Sequence, residues 1–272
     1  MEIIKMKDKL KVGFIGCGNM GGALAEAVGK CDGVSLMLAD RDNQRASELA
    51  DRLGARLADS LQICHECEYV FLAVKPQGIT ELLGEIGMEV ELSRPTLVSM
   101  LAGVSTAKLT ELIKGKTDVI RIMPNIPVKY GKGLVFISGG KGVADKRVEA
   151  VAELLQFTGE CELIDESLID AASAIGGSGP AFFYRFIDAL ARGGENCGLP
   201  YSDALRYAAL TATGAAEMLL CSGKSAEMLA REVCSPGGST IEGIQELDGK
   251  GLADIVMGAV AATYKRAMAL GK

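Results

Sequence analysis

Apolar residues fall into two different rhythms along this chain. Up to about residue 164, short apolar runs alternate with stretches whose apolar residues recur at helical spacing. The runs at 10–15, 34–39, 69–74, 96–100, 119–123 and 134–137 read as buried strands. The stretches at 19–30, 42–53, 77–86, 105–113 and 146–157 read as helices, the second with Asp42 placed to cap it. Strands alternating with helices imply a mostly parallel sheet covered on both faces.

From residue 165 the rhythm is alanine-rich and helical, with no strand. Helices are expected at 168–192, 202–221, 225–234, 240–247 and 252–270. Gly176, Gly177, Gly179 and Pro180 interrupt the first of them. A proline inside a helix costs roughly 3 kcal/mol, so a kink or a restart is expected there. The change of rhythm without a linker divides the chain into an α/β domain at 1–164 and an all-α domain at 165–272.

Composition narrows the function classes. Of 272 residues 49% are hydrophobic, which describes a folded protein with a core of its own. A net charge of −6 with scattered lysines offers no footprint for nucleic acid. No run reaches about 18 apolar residues, so no membrane span is expected. Lys5, Lys7, Asp8 and Lys9 break up the first apolar residues, so no secretory leader is expected and the location reads as cytoplasmic. The eight cysteines then read as reduced thiols, and Cys161, Cys197 and Cys221 as small buried hydrophobes. The single histidine, His65, reads as a solvated residue of an outer helix. Cys64 and Cys67 form a CxxC without a second pair, and no metal site is expected.

The first strand runs directly into Gly16-Cys17-Gly18-Asn19-Met20-Gly21, and a helix follows. That is the context a dinucleotide-binding GxGxxG requires. Gly16 permits the tight turn, Gly18 lets backbone approach a pyrophosphate, and Gly21 lets helix and strand pack closely. The 1–164 domain therefore reads as a Rossmann domain. Asp40 closes the second strand nineteen residues after Gly21, where a carboxylate accepts the ribose hydroxyls of NAD or else caps the next helix. Arg41 follows at once, and a guanidinium there suits a 2′-phosphate. The two point to different cofactors, NADH and NADPH. The run Ala73-Val74-Lys75-Pro76 ends a strand on the ligand side of such a sheet. Lys75 borders the cofactor there or is a surface lysine before a helix start. Asn125, between two prolines at the end of a later strand, can both donate and accept.

The most unusual stretch is Cys234-Ser235-Pro236-Gly237-Gly238-Ser239-Thr240-Ile241-Glu242, between helices. It reads as a turn followed by a helix start, either an anion pocket of consecutive amides or an ordinary helical connection.

The segments GCGNMG, AVKPQ, RIMPNIP, GGSGPAFFY and VCSPGGSTIEG, in this order, resemble the pyrroline-5-carboxylate reductase family over residues 10–270. The resemblance implies a Rossmann domain, a helical dimerisation domain, and reduction of 1-pyrroline-5-carboxylate to L-proline with NADPH or NADH. It implies homodimers interlocked through the helical domain, with assemblies as large as decamers, and an active site between one subunit's Rossmann face and helices of the dimer. Carried onto this sequence, Gly237, Gly238, Ser239 and Thr240 would bind the substrate carboxylate, with the Thr240 hydroxyl beside the ring nitrogen as the catalytic group. Asn125 reads as a further substrate contact by its position at a strand end alone. Asn19 and Met20 would lie against the pyrophosphate, and Ala73 to Pro76 with Ala102 and Gly103 would border the cofactor. Two positions depart from the family pattern. Cys234 replaces the usual Thr or Ser, and Asp40-Arg41 replaces a Ser-rich or Asn-Arg loop.

The missing chemistry agrees with an imine substrate. Carbonyl reduction calls for a proton donor. β-Hydroxyacid dehydrogenases of similar layout place a lysine on the first helix after the Rossmann domain, but no lysine lies between Lys146 and Lys224. A cyclic imine that arrives protonated is already electrophilic, and the protein need only position it. A non-catalytic dinucleotide sensor would have no use for a carboxylate pocket at 237–240.

Overall fold

The computed structural model describes residues 9–114, 117–235 and 237–270. The reading of the leader at residues 1–8 and of the turn at Pro236 lies outside the described residues. The chain divides into two compact units. One holds the described residues up to Gly177 and those from Tyr264 onward, and the other holds Ser178–Thr263.

The first unit is built on an eight-stranded sheet. Its strands are β1 Leu10–Ile15, β2 Val34–Ala39, β3 Arg56–Leu57, β4 Tyr69–Leu72, β5 Thr96–Ser99, β6 Val119–Pro124, β7 Gly133–Gly139 and β8 Gly159–Leu163. The helices of this unit are α1 Asn19–Val28, α2 Asn43–Leu53, α3 Ser60–Glu66, α4 Ile79–Ser93, α5 Thr106–Leu112, α6 Asp145–Leu154 and α7 Ile169–Gly176. The strand order is β3-β2-β1-β4-β5-β6-β7-β8. The pairs are parallel except β6 with β7. The order reverses direction between β1 and β4, which opens a crevice at the carboxyl ends of those strands. Ile15 is in register with Ala39 on one side and Leu72 on the other. The chain therefore leaves the sheet at Gly16, Asp40 and Ala73 on a common level.

Alternation along the strands fills two apolar layers. Phe14 stacks on Phe71 with ring centroids 4.5 Å apart, and both pack with Val12, Leu24 and Leu38 on one face. Ile15, Val70 and Leu72 point to the other face, against Ile63 and Ile86. Covered faces explain why these strands read as continuous apolar runs.

The structure adds two strands that the apolar pattern did not show. β3 has only two residues, and β8 (GECEL) is an edge strand with glutamates at alternate positions. Charge on an edge strand hides it from a hydrophobicity reading and discourages pairing with other chains. β4 stops at Leu72, so residues 73–75 are loop, and a 3₁₀ turn at Pro76–Gly78 precedes α4. The link from β6 to β7 holds only a 3₁₀ turn, Ile126–Tyr130. That is too short for a crossover, hence the antiparallel pair.

Residues just after β8 are tied to this sheet. Arg121 of β6 is buried and donates from Nη2 to Asp170 Oδ1 at 2.6 Å. Glu166 accepts from the Thr106 amide at 2.7 Å and its hydroxyl at 2.6 Å. Asn125 Nδ2 donates to the Gly176 carbonyl, and its Oδ1 accepts from the Leu134 amide, both at 2.9 Å.

The second unit is helical. It comprises α8 Gly179–Asn196, α9 Tyr201–Ser222, α10 Ala226–Val233, α11 Ser239–Gly249 and the first part of α12 Leu252–Leu270. The expected restart occurs. α7 ends at Gly176, and Pro180 sits in the first turn of α8, where its missing N–H leaves no broken bond. Tyr201 donates its hydroxyl to Asp188 Oδ1 at 2.7 Å, and Arg192 Nε donates to Oδ2 at 3.0 Å, joining α8 to the start of α9. The cysteine expectation needs correcting. All eight are free thiols, but Cys197 and Cys221 are exposed and Cys161 half-buried, whereas Cys17, Cys64 and Cys67 are buried. Surrounding apolar residues did not predict burial, because α8 and α9 expose apolar side chains too. His65 is 70% exposed and pairs with Glu89 across 2.8 Å, as a solvated helix residue does.

Candidate dinucleotide and substrate sites

The glycine loop is shaped by the sheet beneath it. Gly16 has φ +106°, and a Cβ there would stand 2.5 Å from the Ala73 carbonyl oxygen. A Cβ on Gly21 would meet the Gly16 oxygen at 2.1 Å, so only glycine lets α1 sit this close to β1. Gly18 differs from both. A Cβ there would meet nothing within 4 Å, and no side chain caps the start of α1. The protein itself does not fill the space over Gly18, and the first amides of α1 are left for a ligand. This open cradle at the positive end of a helix fits a pyrophosphate.

Beside it lies a cleft of about 1080 Å3 lined by Gly16, Gly18, Asp40, Arg41 and Ala73 to Lys75. Seven of the residues expected to bind the cofactor thus meet along one crevice. Asp40 is locked in place: Oδ2 accepts from the Cys17 amide at 2.6 Å and Oδ1 from the Asp42 amide at 2.9 Å. Asp42, not Asp40, caps α2 by accepting from the Arg45 amide. Asp40 therefore ties the end of β2 to the glycine loop while lining the cleft. Burial, then the charge of Asp40, pushes the Cys17 thiol up to about 11, so Cys17 stays protonated beside the loop.

Other expected residues lie nearby but outside that lining. Asn19 lines a second, smaller cleft on the far side of the loop with Arg45 and Lys129. Met20 is half-buried against the core. Pro76 opens the 3₁₀ turn after Lys75, and Ala102 and Gly103 form the turn after β5, where Gly103 has φ +73°. The amide of Asn125 holds β7 and α7, as described above. Sequence reasoning missed Arg45, Asp59, Gln77, Glu81 and Glu85, which also line the main cleft. They sit in the first two turns of helices and in short loops, where polar residues are ordinary. Only the fold brings them to the crevice.

In the helical unit, Gly237 has φ +71°, and the Gly238 amide donates to the Ser235 carbonyl at 3.0 Å. Gly238 then precedes α11 with no side-chain cap, and Ser239 and Thr240 form its exposed first turn. The expected helix start is present, and no side chain caps this eleven-residue helix. Among the described residues, no group of three or more His, Cys, Asp or Glu could hold a metal, and no helix is long and apolar enough to cross a membrane.

Two family models match different parts of the chain. Residues 166–270 match the family model for pyrroline-5-carboxylate reductase dimerisation, which points to assembly through the helical region. Residues 11–103 match the model for NADP oxidoreductase, coenzyme F420-dependent. The chain is 37% identical over 266 residues to pyrroline-5-carboxylate reductase 3 of Danio rerio, covering 97% of this chain and 92% of that protein. The crystal structure of 1-pyrroline-5-carboxylate reductase from Streptococcus pyogenes superposes with a TM-score of 0.88 at 29% identity, covering 97% and 100% of the two chains. A Plasmodium falciparum pyrroline carboxylate reductase solved with NADP bound gives a TM-score of 0.86 at 28% identity, covering 97% and 99%. A likeness that spans both the glycine cradle and the 237–240 turn places this chain in the pyrroline-5-carboxylate reductase family.

Proposed function

We propose that this chain reduces the cyclic imine 1-pyrroline-5-carboxylate to L-proline, with NADPH or NADH as reductant. The observation that carries the reading is the whole-chain likeness to named pyrroline-5-carboxylate reductases. It is supported by an open glycine cradle at the β1–β4 crevice. The amides at the start of α1 and the loop 16–21 would hold the pyrophosphate. Asp40, fixed by two backbone amides, would accept from ribose hydroxyls. When bound, the reduced nicotinamide supplies the hydride.

The substrate groups have complementary partners in the helical unit. The amides of Ser239 and Thr240 at the start of α11, which no side chain caps, suit a carboxylate in the loop 237–240. The Thr240 hydroxyl would accept a hydrogen bond from the iminium N–H and keep that proton on nitrogen while carbon is reduced. The reaction then needs orientation and neutralisation of the carboxylate more than acid catalysis. The protein acts as a homodimer through its helical region, in the cytoplasm, with a decamer as the larger assembly; light scattering of the purified protein reads that size.

Purified protein supplied with pyrroline-5-carboxylate should consume NADPH, NADH or both, followed by the fall in reduced-nicotinamide absorbance. No consumption with either cofactor would sink the proposal. Thr240→Ala should lower kcat by roughly ten- to a hundredfold, the worth of one hydrogen bond to a charged group. Dinucleotide affinity, measured separately, should change far less; if only that affinity falls, Thr240 does not face the imine.

A further inference from the structure

Two guanidiniums line the main cleft, and acidic side chains hold both. Arg45 lies 3.0 Å from Asp42 and 3.8 Å from Asp40. Arg41, just beyond the end of β2, reaches across to the first turn of α4 and pairs with Glu81 at 2.5 Å. Arg41 extends over Gly78, where a Cβ would lie 3.9 Å from its Nη2. Arg41 and Glu81 both line the cleft, and their side chains are 72% and 74% exposed. The pair is therefore a solvated clasp at the cleft mouth, weak enough to exchange partners.

From this geometry we infer that Glu81 is a specificity-determining residue for the dinucleotide, acting against the 2′-phosphate of NADPH. The inference rests on the reading that the adenosine ribose lies beside Asp40. NADPH and NADH differ there by one phosphate. That phosphate needs a cation, and Arg41, which follows Asp40 in the chain and lines the cleft, already has a carboxylate partner. To take Arg41, the phosphate must displace Glu81, and it then stands beside a freed negative charge. Asp40 adds a second carboxylate to the cleft lining, held in place by two backbone amides. The ribose hydroxyls of NADH meet no such competition. Specificity here is a repulsive and competitive element set beside an attractive one.

The test uses the full chain and two probes without nicotinamide, ADP-ribose and 2′-phospho-ADP-ribose, titrated by calorimetry. Glu81→Gln keeps the side-chain shape and removes its charge. It should raise the affinity for the phosphorylated probe relative to the plain one by about fivefold, the upper value of an exposed ion pair. In an Arg41→Gln background the same change should give no gain, because no cation is left to release. An unchanged ratio, or a gain that persists without Arg41, overturns the assignment. If neither probe binds, the cleft reading falls and the assignment with it. Failure of the unaltered protein to reduce pyrroline-5-carboxylate would instead strike the substrate reading, while the probe ratio still decides Glu81.

Discussion

The sheet unit and the helical unit place their apolar residues differently. In the first, large side chains such as Phe14, Phe71, Leu24 and Ile86 are fully enclosed. Among the described residues of 178–263 the buried apolar side chains are only Ala191, Ala204 and Ala208, while Phe183, Tyr184, Leu210 and Leu220 stand exposed. A unit that encloses nothing larger than alanine has little core of its own, and faces this apolar are those that partners cover. The match to a dimerisation family accounts for them. The difference extends to the two glycine turns. Gly16 and Gly21 are dictated by backbone and side chains pressing on them, while Gly237 has nothing within 4 Å of its Cβ position and is required only by its φ. The cofactor cradle is thus set by a packed core, and the turn before α11 by local backbone geometry.

The sharpest way to break this contrast is Gly21→Val. Its Cβ would stand 2.1 Å from the Gly16 oxygen, so α1 must move off the sheet. A loss of about 3 kcal/mol in stability is expected from such overpacking, with dinucleotide binding abolished. Denaturant unfolding and calorimetry read the two effects; retained binding would show that the loop is not held by the core. Next in size is Phe183→Glu on α8, an exposed aromatic of the helical unit. It should weaken self-association by about 2 kcal/mol, the cost of losing an interface anchor. Sedimentation reads this as a shift to monomer, and an unchanged oligomer would place the interface elsewhere.

The smallest effect concerns pH. Burial pushes the Cys64 and Cys67 thiols of the sheet unit up to about 12. The folded state thus keeps protons that the unfolded chain releases. Their contribution to stability is complete below the ordinary thiol value of 9.0 and is lost as pH rises toward about 12. The denaturant midpoint should therefore fall as pH rises from about 9 to about 10.5, and fall less in Cys64→Ala. An equal fall in both would show that the buried thiols do not govern it.

Most of the sheet unit was legible because strands covered on both faces leave continuous apolar runs, while its helices leave a 3.6-residue period. β8 was not, since an edge strand has one side in water and its Glu160 and Glu162 broke the pattern. The sides of the cofactor cleft were half legible. Gly16, Gly18, Asp40 and Lys75 announce themselves by residue type and strand position, whereas Glu81, Glu85 and Arg45 resemble ordinary helix residues. The cluster of Arg121, Glu166 and Asp170 was equally hidden: it joins segments far apart in the chain, and nothing local to any of them predicts it.

The sequence by itself determined the two rhythms, the helix restart at Pro180, the glycine loop after β1 and the family, because each rests on local backbone preference or on an ordered set of short motifs. Only the tertiary structure decided which side chains share the crevice. The sheet order reverses at β1 and β4, brings Asp40 and Arg41 up to Ala73 and α4, and so gives Arg41 a carboxylate partner forty residues away. Hydrophobic periodicity records which face of an element is buried, but not which neighbour buries it.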